Sequence, residues 1–172
     1  MDTIDKQVVY DELERVRTTF RQWVRTMTTE DLDRHSNGTR WTNRELLFHL
    51  LFGYLIVRRL LWMIRLFGLL PAGFSRPFAA LLNISTRPFD TANYLGSRIG
   101  GRIFRPARMA VSMDRITVWL AARLARETDR TLDRGMHYPT RWDPFFPDYM
   151  TVAELYRYPT RHFDFHADQL SV

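Results

Sequence analysis

No cysteine occurs in this 172-residue sequence. A disulfide scaffold, a cysteine-ligated zinc ribbon and a protein thiol nucleophile are therefore excluded. Any thiol in its chemistry has to arrive as a small molecule. Lysine is nearly missing too: Lys6 is the only one, so the 25 basic residues are almost all arginine, against 19 acidic residues and a net charge of +6. The arginines are scattered along the chain among the acids, with no basic block of the kind a nucleic-acid arm carries. They read as a solvated surface, and neither nucleic acid nor a membrane is expected as a partner. No repeat or low-complexity tract is present. No uncharged run spans a bilayer: residues 46–57 give about a dozen, against the roughly 20 a crossing helix needs, and Arg58, Arg59 and Arg65 interrupt the rest of that apolar stretch. The first residues, MDTIDKQVVYDELERV, are charged and lack the apolar core of a signal peptide. A cytoplasmic protein is expected.

What is present is helical. A hydrophobic share of 45% suits one globular domain over residues 1–172 and excludes a disordered chain. Val9, Leu13, Val16, Phe20, Trp23 and Met27 recur at spacings of four and three, which predicts a helix from about residue 5 to 27. The polar piece TTEDLDRHSNG then leads to a turn at Gly38. Thr42 and Glu45 form a capping box for a second helix reaching Phe67, with Trp41 placed to staple on Leu46. It stops at Gly68, where a left-handed residue costs little. Residues 68–105, punctuated by proline and glycine, are a long connection expected to hold short helices and fold over one end of the molecule. A third helix starts at Pro106, carries Met109, Met113, Ile116, Leu120 and Leu124 inward, and ends near Gly135. After an aromatic crossing, HYPTRWDPFFPDY, Thr151 and Glu154 cap a fourth helix, stapled by Met150 on Leu155 and bent at Pro159, that runs through Gln169. The predicted architecture is an all-α four-helix bundle with a long connection between helices 2 and 3.

Three histidines carry the chemical signal. His162 and His166, four apart, stack one turn apart on one helix face. His49 lies two turns into the second helix. If the second and fourth helices run antiparallel, the three meet at one end of the bundle. Three neutral imidazoles hold zinc, nickel, iron or copper with a coordination position left open. Spacing alone equally allows two surface histidines and one buried, hydrogen-bonded one. Tyr158 and Gln169 share the face of the pair and are candidates to line the pocket or orient a ligand. Glu45 is a cap first and a histidine partner second. Asp164 and Asp168 point elsewhere. Arg98, Arg102, Arg105 and Arg108 form a solvated basic edge that could also receive a carboxylate or phosphate. His35 and His137 read as ordinary surface residues, and Trp142, Phe145 and Phe146 as core aromatics that could also lid the pocket.

Two segments resemble one known family. TRWTNRELLFHLL is similar to the N-terminal signature of the DinB/YfiT-like family, and MTVAELYRYPTRHFDFHADQL to its C-terminal HxxxH signature. The resemblance implies a four-helix bundle and a divalent metal, zinc or nickel, held by His49, His162 and His166. It also implies a metal-dependent S-transferase using a small thiol of the mycothiol or bacillithiol type and an electrophilic substrate. The alternative is a non-catalytic metal-binding protein of stress response or interaction. The connection over residues 68–105 departs from the family pattern. A homodimer is expected as well, because the second helix is apolar on more than one face (Leu51, Leu55, Trp62, Leu66).

Overall fold

Side-chain caps start three of the five long helices. In the computed structural model, which describes residues 4–171, α1 (Lys6–Thr26) follows Asp5, whose carboxylate accepts the Gln7 N–H. Its stripe of Val9, Leu13, Val16 and Phe20 is buried. Where the sequence predicts only a polar connection, Thr28 and Asp31 close a capping box on a one-turn helix, α2 (Thr29–Asp33). Gly38 makes the expected turn with φ +70°.

The Thr42–Glu45 capping box starts α3 (Asn43–Phe67) with both of its reciprocal bonds made. Before the cap, Trp41 packs against the core and stacks on the His49 ring at 4.5 Å. The expectation at the other end is corrected. Gly68 is right-handed, with φ −69°; glycine is required there by space, since a Cβ would lie 2.8 Å from the Arg134 Cβ.

Residues 68–105 differ most from expectation. After a short 3-10 turn, Ala72–Phe74, come α4 (Ser75–Ile84) and the eighteen-residue α5 (Thr86–Ile103). Pro77 and Pro88 each fall third in their helix, where the missing N–H has no helical acceptor anyway. Instead of folding over an end, α5 lies along α3 in the opposite direction. Glycine allows this: a Cβ on Gly100 would collide with the Phe48 ring, and one on Gly101 would lie 2.7 Å from the Glu45 Cα. Gly101→Ala gains up to about 1 kcal/mol of helix propensity. It then has to push two backbones apart, at about 1–3 kcal/mol. Net destabilisation of up to about 2 kcal/mol is expected in denaturant titration, and a more stable variant would contradict this contact.

The third long helix, α6 (Pro106–Ala125), starts on its proline and buries the predicted stripe. It ends well before Gly135, because the chain turns at Arg126 into α7 (Asp129–Leu132). The aromatic crossing is framed by β1 (Gly135–His137) and β2 (Tyr149–Thr151), an antiparallel pair with Gly135 opposite Thr151. Thr151 then caps α8 (Val152–Ala167), which ends two residues before Gln169 and holds Pro159 within it. Met150 and Leu155, the predicted staple, are both buried.

The fold is all-α apart from that small hairpin. α1 packs on α6 and α8, and α3 packs on α6, α8 and α5. The four predicted long helices therefore surround a common core, and α5 adds a fifth against the outside of α3.

Candidate metal centre

Antiparallel pairing of α3 and α8 brings the histidines together. Thr160 meets Tyr54, with 3.1 Å between their hydroxyl oxygens. Further along α8, the His162 ring lies so close to Gly53 that a Cβ there would be 3.0 Å from its Nδ1. His166 then faces His49, with Nε2 to Nε2 at 3.2 Å. One ligand nitrogen from each of His49, His162 and His166 lies within 4.8 Å of the others.

The donor set fits a single ion. Two nitrogens bound tetrahedrally at about 2.0–2.1 Å stand about 3.3 Å apart, close to the separation of His49 and His166. Burial also holds the rings in the required neutral form. It pushes the His49 imidazole down to about 3, with the neighbouring His166 adding to the effect. It lowers His162 well below the ordinary value, helped by His49 and then His166. His166, less buried, is lowered as well.

Hydrogen bonds on the outer nitrogens aim the inner ones. His166 Nδ1 donates to Gln169 Oε1 at 2.7 Å, which leaves Nε2 as the inward acceptor. Gln169 is the partner the shared helix face predicts. His49 Nδ1 is 3.2 Å from the Ser97 hydroxyl. Ser97 stands on α5 and bears no sequence relation to the histidines; finding it required knowing that α5 runs along α3.

A small cavity of about 60 Å³ opens beside His49 and His162. Phe52, Ile56, Leu60, Phe89, Trp142 and Phe146 give it apolar walls. The Trp142 ring is stacked on Phe89 at 4.1 Å, so this aromatic does wall the pocket. Phe145 packs on Phe165. The polar exceptions in the wall are Asp143 and Tyr158, together with Asn93. Asp143 accepts the Tyr158 hydroxyl at 2.8 Å and the Phe145 N–H at 2.8 Å, and its Oδ2 is 3.8 Å from His162 Nε2. Burial raises its pKa from the ordinary carboxylate value, against the pull of those two hydrogen bonds. Sequence reasoning passed over Asp143; its one signal was an acid set among aromatics in the crossing. On the opposite side of His166, a more open cleft is bounded by Arg40, Trp41, Tyr94 and Gln169.

The remaining candidates sort clearly. Glu45 serves as the cap and lies 3.7 Å from both Arg98 and Arg102. Asp164 pairs with Arg15 on α1. His35 is exposed. His137 is a correction: it is buried, not on the surface, because the hairpin carries it inward. There its Nδ1 sits 3.1 Å from Asp148 Oδ2 and its ring packs on Tyr149.

A family model described as the DinB superfamily matches residues 12–170 of the chain. No curated protein and no solved structure matches it.

Proposed function

This chain belongs to the DinB superfamily, and on that premise we propose that it is a metal-dependent S-transferase joining a small thiol to an apolar electrophile. His49, His162 and His166 would hold the divalent ion. Such an ion lowers the pKa of a thiol bound to it and so supplies a nucleophile at neutral pH. The observation that carries the reading is the apolar cavity beginning at two of these three histidines.

The chain's own residues divide the remaining work. Phe52, Phe89, Trp142 and Phe146 bind the apolar part of the electrophile and keep water from it. Asp143, with its pKa raised and its carboxylate fixed by Tyr158 and the Phe145 N–H, accepts the thiol proton. Gln169 and Ser97 keep the imidazoles turned inward. The thiol sulfur then bonds to the electrophilic carbon as the leaving group departs. With no cysteine in the chain, the sulfur comes from the co-substrate.

Thermal-shift titration tests this. Zinc- or nickel-loaded protein should be stabilised by at least one small thiol, and metal-free protein should not. Coupled assays with an aromatic halide as electrophile should then show the thioether product. Loaded protein that neither responds to any thiol nor forms product is a metal-binding member of the family without this activity.

A further inference from the structure

We propose that the outer surface of α3, α4 and α5 is a peripheral docking face for an anionic lipid bilayer. The charges point there first. Residues 46–113 contain nine arginines and a single acid, Asp90. Arg65 is paired with Glu127, and Arg98 and Arg102 share Glu45 at 3.7 Å. Arg58, Arg59, Arg76, Arg87, Arg105 and Arg108 make no ion pair among the described residues. The rest of the chain carries sixteen basic residues against eighteen acids, so its charge is balanced, and some of its arginines are paired across elements, as in Arg15–Asp164, Arg21–Asp114 and Arg44–Asp33.

The same elements expose large apolar side chains. Trp62 is 66% exposed, Leu66 65%, Leu81 63%, Ile84 81% and Ile103 68%. On α3 the exposed positions Leu55, Arg59, Trp62 and Leu66 follow helical spacing, so apolar and guanidinium groups share one stripe. On α5, Leu95, Ile99 and Ile103 form an exposed apolar stripe at the same spacing. Exposed apolar ridges interleaved with unpaired arginines form a surface that inserts shallowly under anionic headgroups. A second copy of the chain is the competing occupant. It would bring two unneutralised arginine sets together, whereas anionic headgroups satisfy the charge and the apolar area at once. Because half of α3's most apolar stretch is buried in the core, the contact is in the membrane plane and not a span. The sequence-based expectation of no membrane partner weighed the arginines over the whole chain, where 19 acids accompany them; the excess is confined to residues 46–113.

The full chain should be mixed with vesicles of phosphatidylcholine alone and of phosphatidylcholine with phosphatidylglycerol, and followed by co-sedimentation. Binding to the mixed vesicles is expected, weakening as salt rises, with little binding to the neutral ones. Arg59→Ser and Arg87→Ser should each lower the partition coefficient about fivefold. The double variant Trp62→Ser/Leu66→Ser should lower it further at unchanged helicity, since both side chains are exposed. Equal binding to both vesicles, or none to either, overturns the proposal. So does a dimer that dissociates in the double variant while no vesicle binds, which gives the face to a second copy.

Discussion

His166→Ala is expected to lower divalent-metal affinity at least about a hundredfold while helical content persists. One of three nitrogens is removed, which should exceed the 10–100-fold cost of losing a partner that only supports a ligand. His166 is the least buried of the three and sits in the last turn of α8, so truncating it leaves only a small void. His49 and His162 are each 5% exposed, and the corresponding variants lose core contacts as well as metal. Gln169→Ala provides the graded control. It leaves all three nitrogens in place but removes the acceptor for His166 Nδ1, and about a tenfold loss is expected. Dialysis against limiting zinc followed by elemental analysis reads all of these. A His166→Ala protein that retains one equivalent of metal would show that the convergence of the three rings serves packing alone.

Acid should destabilise the metal-free protein from about pH 6.5 downward. An unfolded histidine takes up a proton near its ordinary value of 6.5, whereas folded His49 does so only at about 3. Between those limits the unfolded state binds more protons, so stability falls as pH falls. Each such histidine contributes a slope of up to about 1.4 kcal/mol per pH unit. His162 and His166 are depressed in the same direction and add to it. Asp143 acts with the opposite sign: its raised pKa means that the folded state takes up its proton first, which offsets part of the loss. Thermal midpoints measured between about pH 7.5 and 4.5 should be flat at the upper end and then decline. His49→Gln should show a shallower decline than the parent. Identical profiles would mean that His49 does not enter the linkage. In metal-loaded protein the decline should be steeper, because protons and the ion compete for the same nitrogens.

The helices were legible wherever local rules govern them. The stripes of α1 and α6, the Thr42 and Thr151 capping boxes and the proline that opens α6 can all be read from neighbouring residues. The three histidines were legible in part: a four-residue spacing fixes one pair, antiparallel helices allow the third to join it, and the family resemblance of the two flanking segments supplied the choice. Helix α5 was not, because its glycines and proline look like loop punctuation until the partner surface is known. Gly100 and Gly101 are there so that Phe48 and Glu45 can come close, a reason that lies some fifty residues away along the chain. Ser97 and Asp143 were missed on the same ground. Each acts at the site through a contact between elements, and neither carries a periodicity that local reasoning detects. His137 was misplaced because a three-residue hairpin strand is too short to announce itself by alternation.

The long separation between His49 and His162 bears on the lifetime of the molecule. A chain without cysteine has no covalent staple, yet an ion shared by these residues would tie α3 to α8 and close a loop of more than a hundred residues. A permanent cross-link over such a loop restricts the unfolded chain by about 4.7 kcal/mol. A coordinated ion is a reversible link, whose contribution grows with the free metal concentration relative to its dissociation constant. The polypeptide would then have two persistence times, a short one when metal is scarce and a long one when it is plentiful. Its abundance under proteolysis would report the metal supply, whatever reaction the site performs.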